Sequence, residues 1–214
     1  MPECIPVILV MVGAYLAGSL PFGLWVAKAW SGVDIREVGS GNIGTTNVLR
    51  AAGWRAALLV FVLDSGKGAA AVLAGKAFAA RVADTDIAVL AIVLGAATMA
   101  MLGHTFSAFL GLRGGRGAAT GFGVIAALSW KVGFSGLGVF VILAVATRIV
   151  SLSSMAGAAS MPVFMLIFRQ QPAYSVFAAA TAALVIIRHA PNIRRLLRGE
   201  ESKIGRRRKE QGDE

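Results

Sequence analysis

The sequence is poor in charge. Only 15% of its 214 residues are Asp, Glu, Lys or Arg, 57% are hydrophobic, and the mean hydropathy is +0.72. A water-soluble domain carries charge on roughly a quarter of its residues, so this composition excludes an ordinary soluble protein. Long apolar runs recur along the chain, and each can form a helix that crosses a hydrocarbon layer about 30 Å thick. We therefore predict an all-α integral membrane protein.

Cysteine and histidine are also scarce. Cys4 is the single cysteine, which excludes a disulfide within the chain. The two histidines, His104 and His189, and the scattered carboxylates lack metal-ligand spacing, so we expect neither a metal site nor a cofactor. The net charge of +10 fits basic cytoplasmic loops and anionic lipid rather than nucleic acid. The chain begins without the basic region of a signal peptide, which predicts that the first helix is retained.

Seven apolar segments are predicted to span the membrane. They are Ile5–Trp30, Trp54–Phe78, Asp86–Leu102, Gly117–Trp130, Val132–Ile149, Leu152–Phe168 and Pro172–Ile187. With the N-terminus outside, sixteen Lys and Arg residues lie on the inner side and four on the outer side. This asymmetry predicts a cytoplasmic C-terminus and Gly-rich cytoplasmic loops. We expect one membrane domain, residues 1–200, followed by a charged, flexible tail, residues 201–214.

Gly39 to Gly44 read G-S-G-N-I-G, a dinucleotide-binding pattern, and Asp64 follows at the distance of a ribose-binding acid. That fingerprint requires a preceding strand and a βαβ unit. Here the glycines lie between two apolar runs, so we interpret the match as a coincidence of spacing.

Four segments on the predicted inner side hold most of the polar residues. Glycine-rich loops expose backbone N–H groups, a helix that begins at Gly117 adds its positive end, and arginines bind phosphate oxygens. The pattern predicts one or two phosphate sites. Candidate residues for these sites are Ser40, Asn42, Gly44, Thr46, Asn47, Arg50, His104, Arg113, Gly114, Gly115, Arg116, Gly117, Thr120, Ser151, His189 and Asn192.

Asp64 and Lys67 are charges within the second predicted span. Charges inside a membrane are costly and are usually paired. The two side chains either brace the bundle as a mutual ion pair, or Lys67 extends toward the anion site.

Three motif blocks together resemble the bacterial acyl-phosphate-dependent glycerol-3-phosphate acyltransferases, the PlsY family. The blocks are "GSGNIGTTNVLRAAG" with the following "LDSGKG", "GHTFSAFLGLRGGRGAAT", and "RHAPNIRRLLRGEESKIG". They occur in the family's order and extend over nearly the whole chain. The sequence departs from the family pattern at Thr45, Ser107, Leu112 and Arg116, where Ala, Pro, Phe and Lys are usual.

The resemblance implies transfer of a fatty acyl group from acyl-phosphate to the 1-hydroxyl of sn-glycerol 3-phosphate, giving lysophosphatidic acid and phosphate for phospholipid synthesis. It implies a monomeric multi-pass enzyme of the bacterial plasma (inner) membrane with a cytoplasmic active site. By likeness, glycerol 3-phosphate would be held by Ser40, Arg50, Arg116, Ser151, His189 and Asn192. Thr46, Asn47 and the Gly114–Gly117 loop would contact acyl-phosphate, and Glu201 would anchor the tail.

Two questions stay open at this point. The proton of the hydroxyl could pass to neutral His189 or to the acceptor's own phosphate, whose second pKa is about 6. The chain could alternatively transport a phosphorylated anion, since charges within the membrane and glycine-rich breaks also occur in transporters. The H-x-x-x-x-D pair of thioester-dependent acyltransferases is missing after both histidines.

Overall fold

A computed structural model describes residues 4–204, which form helices and the loops between them. The α-helices are α1 (Cys4–Ser19), α2 (Phe22–Ser31), α3 (Thr45–Val82), α4 (Asp86–Thr105), α5 (Ala118–Leu128), α6 (Trp130–Thr147), α7 (Val150–Ile167), α8 (Pro172–Arg188) and α9 (Ala190–Leu197). A single 3₁₀ turn, Ala108–Leu110, lies between α4 and α5. The prediction of an all-helical membrane protein is confirmed.

Five apolar stretches of residues 4–204 are long enough to cross a membrane, and six if the bent pair α8 and α9 counts as one span. The predicted number of seven spans is therefore not confirmed. The difference lies mainly in α5, whose 11 residues cover only about 16 Å at 1.5 Å per residue. This helix is apolar but covers about half of a hydrocarbon layer.

The first predicted span is broken rather than continuous. It ends as α1 at Ser19 and restarts as α2 after Pro21. Two side chains that are distant in the sequence donate hydrogen bonds to the backbone oxygens at the break. Ser107 Oγ donates to the Ser19 oxygen at 2.6 Å, and Lys67 Nζ donates to the Leu20 oxygen at 2.8 Å. Broken helices within a membrane require such replacement partners.

α3 also changes direction. Gly53 has φ = 84° and ψ = 177°, so the eight residues before it form a separate short helix. Glycine adopts this positive φ without steric cost. The first part of α3 thereby leaves the line of the span, and its residues Thr45, Thr46 and Asn47 line the first cavity described below.

Small residues allow the helices to pack closely. A Cβ atom at Gly18 of α1 would collide with the backbone of Ala100 in α4, and one at Gly123 of α5 would collide with the backbone of Ser65 in α3. Ser65 Oγ also donates to the Ala119 oxygen at 3.1 Å. Close contact of this kind is the main source of helix association in lipid, and it fixes α5 against α3.

Candidate active site

Asn47 organises the loop that carries Ser40. Its Oδ1 accepts a hydrogen bond from the Ser40 N–H, and its Nδ2 donates to the oxygens of Ile35 and Val38 at 2.7 and 3.0 Å. The side chain is 2% exposed. Because three backbone groups occupy this amide, Asn47 holds the 35–44 loop in shape as well as lining the cavity described below.

The glycine-rich loop is tied to the end of α4. Gly114 N–H donates to the Thr105 oxygen at 3.1 Å, and Gly115 N–H donates to the His104 oxygen at 2.9 Å. The His104 ring lies directly against Gly115, where a Cβ atom would overlap the imidazole. The loop ends at Gly117, whose φ of 85° starts α5. Gly117 and the first residues of α5, Ala118 and Ala119, line the first cavity described below.

Glu201 holds the third motif together. Its Oε1 accepts from Ser151 Oγ at 2.8 Å and from Asn192 Nδ2 at 2.6 Å, while its Oε2 accepts from Arg195 Nε at 2.6 Å. Burial raises the pKa of this carboxyl, but the hydrogen bonds from Asn192, Arg195 and Ser151 outweigh burial and hold the pKa below 4.5. Glu201 is therefore ionised, and its hydrogen bonds connect the C-terminal segment to α7 and α9.

Contacts continue beyond the boundary that the sequence suggested at residue 200. Glu201 is 8% exposed, and the Ile204 N–H donates to the Arg148 oxygen at 2.8 Å. The remainder of the predicted tail, 205–214, lies outside the described residues.

A first cavity of about 1030 Å³, its open mouth included, lies between α3, α5, α6, α7 and α8. Its polar end is formed by the two loops and by His104, Asp64 and His189. Its other end is apolar. The apolar side chains and glycines there are Phe61, Phe122, Gly136, Leu137, Phe140, Gly157, Ala158 and Met161.

A second cavity of about 1420 Å³ opens beside the first and is strongly basic. The two cavities share Ser40, Asn42 and Arg116. The arginines that line the second cavity are Arg36, Arg113, Arg116, Arg188 and Arg195. No carboxylate lies among the described residues that line it, but Arg36 is paired with Asp34 and Arg195 with Glu201, both at 2.6 Å. The positive charges of Arg113, Arg116 and Arg188 are the ones that attract anions to this space.

Arg116 lies where the cavities meet. Burial lowers the pKa of its guanidinium to about 10, and the neighbouring positive charge of Arg195 adds to the effect. The group remains charged at neutral pH. It is partly removed from water, and no carboxylate of residues 4–204 lies at salt-bridge distance from it, so it can bind an incoming anion strongly.

Most of the predicted site residues meet at these two cavities. Those that line one or both are Ser40, Asn42, Gly44, Thr46, Asn47, Asp64, His104, Arg113, Gly114, Arg116, Gly117 and His189. The others lie outside the cavity walls. They are Arg50, Lys67, Gly115, Thr120, Ser151, Asn192 and Glu201.

The side chains outside the walls have other partners or positions. Ser151 and Asn192 both donate to Glu201, and Arg50 is exposed on α3. Lys67 Nζ lies 2.8 Å from Asp64 Oδ1, with both side chains 3% exposed, so the interpretation as a bracing ion pair is supported. Lys67 does not reach the cavity.

Arg36 and Arg188 line the second cavity but are not among the site residues predicted from the sequence. Arg188 Nη2 donates to the Gly114 oxygen at 3.3 Å, and its guanidinium carbon lies 5.7 Å from the Phe106 ring centre. The residue immediately precedes His189 in the third motif, which was the available signal. The apolar end of the first cavity was missed as well.

His189 has a defined tautomer. Its Nδ1 lies 2.7 Å from the Val185 oxygen, and a carbonyl can only accept, so Nδ1 carries a proton. The ring is 4% exposed and lines the first cavity. Its Nε2 is therefore the atom available to a ligand. Among residues 4–204 there is no group of three His, Cys, Asp or Glu side chains that could hold a metal ion.

Known proteins are similar to this chain in sequence and in fold. The family model "Glycerol-3-phosphate acyltransferase" matches residues 8–199. Glycerol-3-phosphate acyltransferases of Synechococcus sp. (strain JA-3-3Ab) and Rhodospirillum rubrum are 41% and 43% identical over 97% and 98% of this chain, and over 98% and 95% of their own lengths.

Two solved structures are also similar, both of PlsY, an integral membrane glycerol 3-phosphate acyltransferase. The glycerol 3-phosphate form has a TM-score of 0.84 at 37% identity, and the lysophosphatidic acid form has a TM-score of 0.82 at 36% identity. Each comparison covers 94% of this chain and 96% of the solved one. The chain therefore belongs to the glycerol-3-phosphate acyltransferase family of integral membrane enzymes.

Proposed function

We propose that the protein transfers a fatty acyl group from acyl-phosphate to the 1-hydroxyl of sn-glycerol 3-phosphate, at the cytoplasmic side of the bacterial plasma membrane. One observation carries the proposal: an apolar cavity between helices and a basic cavity meet at Ser40, Asn42 and Arg116. Two anions, one with a long tail, can thus be brought together at a single point.

Each substrate fits one of the cavities. The acyl tail lies among α5, α6 and α7, with its carbonyl and phosphate beside Gly117 and the start of α5. Glycerol 3-phosphate enters through the second cavity, where Arg113, Arg116 and Arg188 attract its phosphate. His189 and Ser40 then direct the hydroxyl toward the acyl carbonyl.

The reaction needs little activation of the donor. Acyl-phosphate is a mixed anhydride, so phosphate departs readily once the hydroxyl oxygen has bonded to the carbonyl carbon. The carbon–oxygen bond to phosphate breaks, and the products are lysophosphatidic acid and inorganic phosphate. Arg116 and the N–H groups of α5 stabilise the charge that develops on the carbonyl and on the departing phosphate.

The acceptor's phosphate takes the hydroxyl proton. Asp64 is neutralised by Lys67, and Glu201 accepts three hydrogen bonds, so neither carboxylate is available as a base. His189 remains as a ligand of glycerol 3-phosphate through Nε2. We expect His189→Ala to raise the KM for glycerol 3-phosphate and to leave kcat nearly unchanged. A loss of kcat by more than about a hundredfold, typical of a removed general base, would assign the proton to His189 instead.

The deciding assay uses purified protein in detergent with labelled glycerol 3-phosphate and, in separate reactions, myristoyl-phosphate and palmitoyl-phosphate. We expect lysophosphatidic acid from acyl-phosphate and none from acyl-CoA or acyl-carrier protein. Arg116→Ala should abolish turnover, whereas Arg81→Ala, a matched change at an exposed residue on α3, should not. Transport requires a sealed compartment, so acyl transfer in micelles separates the enzyme from a transporter. Failure of acyl transfer in wild type would refute the proposal.

A further inference from the structure

The apolar arm of the first cavity ends inside the bundle, at Gly136 and Met161. One face of α7 lines the arm up to Met161, and α6 lines it from Phe140 to Gly136. One helical turn farther along, Val132 and Met165 are completely buried and do not line the cavity. Packed side chains therefore close the arm at this level.

Gly136 explains why the arm closes there. A Cβ atom on Gly136 would lie 2.9 Å from Met161 Cγ, 3.0 Å from Met161 Cε and 3.2 Å from the Gly157 oxygen. Without that Cβ, the Met161 thioether rests directly on the backbone of α6. Met161 is 7% exposed, and it blocks the space between α6 and α7.

The length of the arm is comparable to that of a fatty acyl chain. From Val150 to Met161 the cavity follows α7 for about 16 Å at 1.5 Å per residue. An extended chain of single bonds advances about 1.2 Å per bond, as an extended peptide does. An acyl chain that starts at the level of Val150 therefore extends about 13 or 14 carbons along the cavity before it meets Met161.

We propose that Met161, resting on Gly136, is the end wall that limits the acyl chain length of the donor. The inference rests on the proposed acyl transfer. The surrounding lipid is as apolar as the arm, so burial of extra methylene groups gives little preference by itself. Selection comes from fit, because overfilling a closely packed space carries a steric cost.

The test is a competition among donors. Purified protein receives labelled glycerol 3-phosphate and an equimolar mixture of lauroyl-, myristoyl-, palmitoyl- and stearoyl-phosphate, and mass spectrometry measures each lysophosphatidic acid. Product ratios give the ratios of kcat/KM, and they do not depend on the fraction of folded protein. Poorly folding variants thus remain informative.

Met161→Ala should raise the stearoyl-to-myristoyl product ratio at least about fivefold, the lower end of the usual cost of overfilling. The matched control is Met165→Ala, which removes the same atoms one turn farther along α7 and should leave the ratio unchanged. Leu137→Trp, which adds bulk at the same level of the arm, should lower the ratio.

The outcomes separate the two proposals. If wild type makes lysophosphatidic acid but the ratio is the same in wild type, Met161→Ala and Leu137→Trp, Met161 is not the end wall and acyl transfer stands. Equal changes in Met161→Ala and Met165→Ala would also overturn the inference, because the effect would then be general loosening of α7. An absence of product from every donor in wild type would overturn the proposed function and, with it, this inference.

Discussion

Substitution of Glu201 gives the sharpest test of how the third motif is held. Glu201→Ala removes the acceptor of three hydrogen bonds, two of which come from the site candidates Ser151 and Asn192. The buried Ser151 hydroxyl and Asn192 amide would each lose their acceptor, at about 1–3 kcal/mol each, whereas Arg195 is 35% exposed and loses little because water can replace Glu201. For a chain of about this size, each kcal/mol shifts the melting temperature by about 2–4 °C. The sum of about 2–6 kcal/mol predicts that Glu201→Ala melts about 4 to 24 °C below wild type, which tryptophan fluorescence of the protein in detergent measures.

Substitutions at three positions, 192, 200 and 201, separate the network from the loss of charge alone. Glu201→Gln removes the charge and keeps the size of the side chain. Glu200→Gln makes the same change at an exposed neighbour and should shift the free energy of unfolding by less than about 0.5 kcal/mol. Asn192→Asp places two carboxylates together and should be strongly destabilising. The exchanged pair Glu201→Gln with Asn192→Asp restores a carboxylate facing an amide, so it should be more stable than Asn192→Asp alone.

Acid pH tests the same carboxylate. Its pKa is lowered in the folded protein, so its contribution to stability is fully present above its unfolded-state pKa, near 4.5, and is lost as the pH falls through the folded-state value. The stability advantage of wild type over Glu201→Gln should therefore be constant above about pH 5 and narrow only in stronger acid. The role of Glu201 in this network is refuted if Glu201→Gln melts at the same temperature as Glu200→Gln. It is also refuted if the exchanged pair melts no higher than Asn192→Asp alone.

Two further predictions concern buried contacts elsewhere. Gly115→Ala places a methyl group on the His104 ring and displaces the glycine-rich loop. A loss of about 1.4 kcal/mol of transition-state binding lowers activity about tenfold, and we expect at least this loss. Gly138→Ala is the control, because the added carbon meets open space and activity should be retained; equal losses in the two variants would contradict the contact between Gly115 and His104. Lys67→Met leaves the buried Asp64 carboxylate charged and unpaired, which costs about 3–5 kcal/mol. Adding Asp64→Asn to this variant should therefore raise its melting temperature. If the double variant melts no higher than Lys67→Met alone, the pairing of Lys67 with Asp64 is refuted.

Hydropathy was sufficient to predict the helical membrane fold but not the breaks within it. The run Ile5–Trp30 reads as one span because its residues remain apolar through Leu20 and Pro21. The break is stabilised by Lys67, whose partner Leu20 is 47 positions away in the sequence. Spacing alone suggested the ion pair of Lys67 with Asp64, but it gave no indication of that second contact.

Polar residues were easier to assign to the site than apolar ones. Ser40, Arg116 and His189 stand out because polar groups are unusual in a membrane chain, and the structure places all three at one cavity. Met161 and Gly136 look the same in sequence whether they face lipid, another helix or a ligand. Orientation in the membrane stays a prediction, because it depends on the distribution of basic residues.

The meeting of the two cavities at Ser40, Asn42 and Arg116 has a kinetic consequence. If each substrate arrives by its own cavity, the acyl donor enters from the membrane or micelle and the acceptor enters from bulk water. The effective concentration of the donor is then its mole fraction in the bilayer or micelle. Diluting the membrane with inert lipid should slow turnover at fixed total donor, whereas diluting the aqueous volume should affect only the acceptor.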